Sequence, residues 1–271
     1  MLQEIFYLRL NGFACTAEAW VNGVPVSRID PVSCLLDGRP VHEYLLPGRN
    51  HLALLVSPGP HPSHPMSSET PFPAPPRAFA TLHLLRGPRG VLPDDPQVKV
   101  LAPIEWRPET GAIINPPVYL ETEADLPVWL PRWSWLEATP VGLSNELNNI
   151  IFRFIGQIVI GMRKGDPSLY LQSAATRFQE VAQAYGLTPE ETRNNFMTQW
   201  NKVSALPGFA MHLPNRETMA LRICADGRMV ECVDLQFEPM LRAEKLDTDG
   251  TVPVRYTTRV AFFGRDLRIV R

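Results

Sequence analysis

Three of the six tryptophans, Trp129, Trp133 and Trp135, fall within seven residues and form the densest set of ligand-holding side chains in this sequence. All three occupy odd positions, so an extended chain aims them the same way. Each combines a large apolar ring with an N–H donor, which suits a stacking platform for sugar rings or the hot spot of a protein interface. The same stretch, from Pro127 to Leu136, also reads as a rigid apolar connector in which the rings glue two halves of the chain together. His61 and His64 have the His-x-x-His spacing that can chelate a metal, but Glu69 is the only close carboxylate and zinc needs three or four ligands. They are therefore read as loop histidines, with no metal and no cofactor expected. Cys15, Cys34, Cys224 and Cys232 form no C-x-x-C pair and suit reduced thiols. No P-loop, G-x-G-x-x-G after a strand, G-x-S-x-G, H-E-x-x-H or EF-hand motif occurs. Asp94-Asp95 reads as a loop and Glu190-Glu191 as a helix cap, while His212 falls in a loop and Asp226 in a turn. No residue is assigned a catalytic role.

Composition narrows the field further. The net charge is −2, without a basic run, and argues against a nucleic-acid partner. With 45% apolar and 20% charged residues the chain is globular. Residues 1–10 alternate and carry Glu4, unlike a signal peptide. The longest apolar segment, 147–162, contains Asn148, Asn149, Arg153 and Gln157 and is too short and polar to span a bilayer. A cytoplasmic protein without a membrane partner is expected.

The elements that must position these residues divide near residue 140, because 22 of the 28 prolines lie at or before Pro140. Proline cannot donate to a ladder, so the first half should be short strands with many turns. Strands are predicted over 4–10, 41–46, 52–56, 78–85, 98–106 and 118–123, with a hairpin at Asn22-Gly23, where a type I′ turn needs positive φ twice. Residues 58–76 hold eight prolines and read as a polyproline-like loop.

In the second half, Leu147, Ile150, Ile151, Phe154, Ile155, Ile158, Val159 and Met162 recur three and four apart, predicting one helix with an apolar stripe and Ser144 as N-cap. Phe154 is expected in the core, and Gly156 and Gly161 on the far side allow close packing. If Phe152 and Ile160 on that side were exposed, they would suit a homo-oligomer. A second helix runs from Asp166-Pro167 to Gly186, and a third opens with the Thr188-Pro189-Glu190-Glu191 capping box. Asp226-Gly227 joins strands 219–225 and 228–235 in a register that sets Arg222 opposite Glu231 and Cys224 and Cys232 on opposite faces. Strands over 238–245, 252–263 and 267–270 complete the chain.

Trp20-Val21-Asn22-Gly23 with Leu46-Pro47-Gly48-Arg49-Asn50-His51-Leu52 resembles the hairpin and "PGxNxL" strand of galactose-binding-like jelly rolls, across residues 15–57. That resemblance implies a sandwich and a family that often binds carbohydrate. Three helices followed by antiparallel strands are similar in order to the nuclear transport factor 2-like fold, which implies helices on a curved sheet around a pocket. The fold class expected is a two-domain α+β protein: a proline-rich antiparallel β-sandwich over 1–126, a tryptophan-rich connector over 127–143, and three helices packed on an antiparallel sheet over 144–271. The expected function is non-catalytic binding of a protein or carbohydrate partner through Trp129, Trp133 and Trp135 with the 58–76 loop. The alternative is a small-molecule pocket or enzyme in the second domain, which would need a polar cluster on its strands.

Overall fold

The computed structural model describes residues 4–30, 35–57, 63, 71–126, 130–244 and 254–271. The described residues form a mixed α/β structure of four helices and antiparallel sheets, with more strand than helix, and the chain divides into two compact units, Met1–Arg132 and Trp133–Arg271.

Unit 1 contains β1 (Glu4–Phe13), β2 (Thr16–Val21), β3 (Val24–Ile29), β4 (Leu36–Pro40), β5 (Gly48–Ser57), β6 (Phe72–Pro73), β7 (Phe79–Pro88), β8 (Lys99–Trp106), β9 (Ile113–Ile114) and β10 (Val118–Leu126). One sheet has the order β4-β1-β7-β8, another β10-β5-β2-β3, and β6 pairs with β9. Alternation decides which face is buried: Phe6, Leu8 and Leu10 from the first sheet share one core with Ala19, Val21, Leu52 and Leu54 from the second. Pro25, Pro40 and Pro103 lie on β3, β4 and β8, all edge strands, where a missing N–H breaks no inner ladder. Residues 41–46 are not the predicted strand. His42–Tyr44 form a 3₁₀ turn that buries Val41, His42 and Leu45, because inward positions spaced one and four apart fit a turn and not a pleat.

Unit 2 contains α1 (Asn145–Arg163), α2 (Ser168–Ser173), α3 (Ala175–Tyr185), α4 (Pro189–Ser204), β11 (Met219–Cys224), β12 (Met229–Asp234), β13 (Leu241–Arg242), β14 (Arg255–Tyr256), β15 (Arg259–Phe263) and β16 (Asp266–Ile269). Its main sheet runs β11-β12-β15-β16, and β13 pairs with β14. Helix α1 follows its stripe: Leu147, Ile151, Ile155, Ile158, Val159 and Met162 are buried, and the Ser144 hydroxyl accepts the Leu147 N–H. Phe154 is only half-buried at the margin of that core. On the far side nothing approaches Gly156, while Gly161 lies under the Asp166 carbonyl. Phe152 lies beneath the Arg216 guanidinium, and Ile160 is exposed.

The predicted second helix is two helices, α2 and α3, broken at Ala174. Tyr170 and Phe178, eight residues apart, would point about 80° apart on a straight helix. With the break, both rings join a cluster with Phe196 and Tyr256. The buried face turns with it, so Ala175 is exposed and Glu180 buried. The capping box of Thr188 and Glu191 forms as expected. So does the hairpin register, with Leu221 opposite Cys232 and Arg222 opposite Glu231. Gly227 has φ +85°, and a Cβ there would meet the Val141 carbonyl at 2.8 Å. The predicted strand over 238–245 is reduced to the two residues of β13, and β12 is buried on both faces.

Candidate functional site

The tryptophan platform does not face solvent where it is described. Trp129 lies outside the described residues. Trp133 and Trp135 are 0% and 2% exposed. A 3₁₀ turn over Ser134–Glu137 replaces the extended chain that would have aimed them together. The Arg271 guanidinium lies 5.3 Å from the Trp133 ring and donates to Glu180 Oε2 at 2.5 Å. Glu180 Oε1 in turn accepts the Ser134 N–H at 2.5 Å. Thr139 and Val141 donate backbone N–H groups to Phe262 and Gly227. These contacts make 133–141 part of the core of unit 2.

The Asn22 and Asn50 motif is spent on structure. Asn50 is fully buried and uses its whole amide: Oδ1 accepts from Leu46 N and Asn22 Nδ2, and Nδ2 donates to the carbonyls of Leu46 and Gly48. Asn22 Nδ2 also donates to the Tyr44 carbonyl, and its Oδ1 accepts the His51 N–H. His61, His64, Glu69 and Cys34 lie outside the described residues. Among the described residues no three His, Cys, Asp or Glu side chains converge as a metal site. Burial pushes the Cys15 thiol up to about 11 and the Cys224 thiol up to about 12, and raises Cys232 as well, so none is a thiolate at neutral pH. Asp94 pairs with Arg9, Asp95 accepts the Gln97 N–H, and Asp226 occupies its turn with φ +53°.

What the tertiary structure assembles instead is a cleft of about 430 Å³ in unit 2, lined by His212, Asp234, Gln236, Glu238, Arg242, Ala243, Glu244 and Arg255. The loop after β12 is pinned by Asp234, whose Oδ1 accepts the N–H groups of Gln236 and Glu238 and whose Oδ2 accepts Arg242 Nη2 at 2.7 Å. This holds Phe237 at φ +60°, a left-handed conformation costly for a bulky side chain, with the Arg222 guanidinium 5.0 Å from its ring. The strained turn delivers Gln236 and Glu238 to the wall. Along β13 and beyond, Leu241 is buried in the core, Arg242 and Glu244 line the cleft, and the buried Ala243 between them contributes to its wall.

Two further ion pairs rim it, Arg255 with Glu238 at 2.8 Å and Arg163 with Glu244 at 2.7 Å. The His212 backbone N–H donates to the Arg242 carbonyl, and its half-buried imidazole makes no hydrogen bond among the described residues. Burial first, and then the Arg242 charge, lower its pKa against the opposing pull of Glu244 and Asp234, so the ring is neutral at pH 7. Sequence reasoning missed this cluster. Its one local signal was the alternation over 241–244; the rest comes from separate segments. A second cleft, about 720 Å³, is lined by residues of α2, α3 and α4, among them Leu171, Phe178, Glu190, Arg193 and Met197.

No protein-family model, no curated protein and no solved structure matches the chain. Among the described residues no helix is long and apolar enough to cross a membrane.

Proposed function

We propose that the chain is a non-catalytic binding protein whose ligand site is the charged cleft of unit 2, taking a small polar molecule with groups of both charges. The observation that carries this is the grading of the three ion pairs. Arg242–Asp234 is nearly buried and fixes the floor, whereas Arg255–Glu238 and Arg163–Glu244 are substantially exposed. Exposed pairs contribute about 0–1 kcal/mol each, so a ligand carboxylate or ammonium can replace either partner at little cost. The size suits a ligand of a few functional groups. Recognition is favoured over catalysis because Asp234, the buried carboxylate of the cleft, has both oxygens engaged by Arg242 and two backbone N–H groups. The imidazole therefore lacks the orienting group that a general base needs.

This reading takes unit 1 as a β-sandwich domain and unit 2 as a separate α+β domain; the core shared by two four-stranded sheets supports the first. The galactose-binding-like resemblance makes carbohydrate a ligand class for unit 1, although Asn22 and Asn50 are already occupied. Composition supports a cytoplasmic setting without nucleic acid.

The test is a thermal-shift screen of amino acids, dipeptides and small amines and carboxylates against the full chain and the Arg255→Ala/Glu244→Ala variant. Ligands that stabilise only the parent chain are expected. Hits that stabilise both equally would remove the cleft from the reading, and turnover of a hit would replace binding with catalysis.

A further inference from the structure

Within the aromatic cluster of unit 2, an arginine and two tyrosines lie together, and one of the hydroxyls has no partner. Tyr256, on β14, is 8% exposed and its hydroxyl is buried with no hydrogen-bond partner. Its ring lies 5.7 Å from that of Tyr170, which is buried on α2. Arg177, partly exposed on α3, donates Nη1 to Tyr170 Oη at 2.9 Å, and no carboxylate among the described residues pairs with it. Because the Tyr170 oxygen accepts from Arg177, its own proton is left to donate. The groups act on one another: burial raises the Tyr256 pKa, Tyr170 adds to the rise and the Arg177 charge opposes it.

Buried polar groups are ordinarily satisfied, and an uncompensated one is destabilising. Two phenol hydroxyls and a guanidinium, with the Tyr170 oxygen already taken by Arg177 and no carboxylate beside them among the described residues, are complementary to an oxygen that carries negative charge. We propose that Arg177, Tyr170 and Tyr256 form a binding site for a small oxyanion, a phosphate, sulfate or carboxylate group, reached from the exposed side of Arg177. The site is separate from the charged cleft: Arg255 faces the cleft, and its neighbour Tyr256 faces the core.

The experiment titrates the full chain with inorganic phosphate, sulfate or acetate at ionic strength held constant with chloride, following the unfolding midpoint and binding heat. A saturable rise with at least one oxyanion is expected. Tyr256→Phe keeps the ring and removes only the unpartnered hydroxyl. It should fold as well as the parent and bind about ten- to hundredfold more weakly. Arg177→Gln should abolish the response, and Lys202→Gln, on the exposed surface of α4, should leave it intact. Equal responses to oxyanion and chloride would overturn the proposal, as would parent-like binding by Tyr256→Phe. A crystal structure at saturating phosphate with only a water beside Tyr256 would overturn it too. If Arg177→Gln fails to fold, the Tyr256→Phe comparison decides.

Discussion

A histidine enclosed by hydrocarbon keeps its neutral form, because charging it would strand a cation without water. His42 in the 3₁₀ turn of unit 1 is 1% exposed and accepts the Phe6 N–H on Nε2 at 2.7 Å, which leaves the ring proton on Nδ1. Burial lowers its pKa from 6.5 to about 4. Between those values the unfolded chain binds more protons than the folded one, so stability is full above pH 6.5 and falls as pH drops toward 4. At about 1.4 kcal/mol per unit the loss is about 3 kcal/mol. Urea unfolding at pH 7 and pH 4.5 should show it, and His42→Gln should flatten the dependence; an unchanged slope would remove His42 as its source. Asn50 makes a second prediction at this scale. Asn50→Ala removes the acceptor of the Leu46 N–H and the donor to the Leu46 and Gly48 carbonyls, so a loss of about 2–4 kcal/mol is expected in denaturant titration. Asn22-Gly23 was readable as a turn because positive φ is a property of two adjacent residues. That Asn22 also bonds Asn50 was not readable, since the partner lies 28 residues away.

Among the elements, α1 separates local coding from tertiary placement. Its span and Ser144 cap follow from spacing and one side-chain oxygen, and Ser144→Ala should cost about 1 kcal/mol. Which stripe residue carries the core does not follow from spacing. Phe154, expected there at a cost of about 3–5 kcal/mol on truncation, sits half-buried at the edge, whereas Ile155 is fully enclosed. Ile155→Ala should therefore cost about 2–5 kcal/mol and Phe154→Ala only about 1–2 kcal/mol, compared by unfolding midpoints. The reverse order would place the core on the other side of the stripe. The break at Ala174 was hidden for the opposite reason. Alanine is the best helix former, and nothing in the local sequence opposes a continuous helix; the turn follows from gathering Tyr170 and Phe178 against Phe196 and Tyr256. The two-residue strands β13 and β14 are too short to show a period, so the wall of the charged cleft left only a trace in sequence.

For the molecule as a whole, the division between the compact units falls at Arg132 and Trp133, inside the stretch read as a connector. Trp133 meets Arg271, Thr139 bridges to Phe262 and Val141 rests on Gly227, so the second unit needs this strap. A fragment beginning at Pro131 should unfold cooperatively by far-UV circular dichroism. One beginning at Leu143 should lose most of its stability or fail to fold, and equal stability of the two would show the strap to be dispensable. By itself the sequence determined the mixed strand and helix content, the concentration of proline in the first half, both glycine hairpins with the register of the second, and the helix caps. These depend on φ preferences, missing N–H groups and side-chain reach within a few residues. Only the tertiary structure decided that Trp133 and Trp135 are buried, that Glu180 accepts the Ser134 N–H between them and pairs with Arg271, and that His212, Asp234, Arg242 and Arg255 share one cleft. Those outcomes depend on desolvation and ion pairing between distant segments, and no spacing along the chain records where such segments meet.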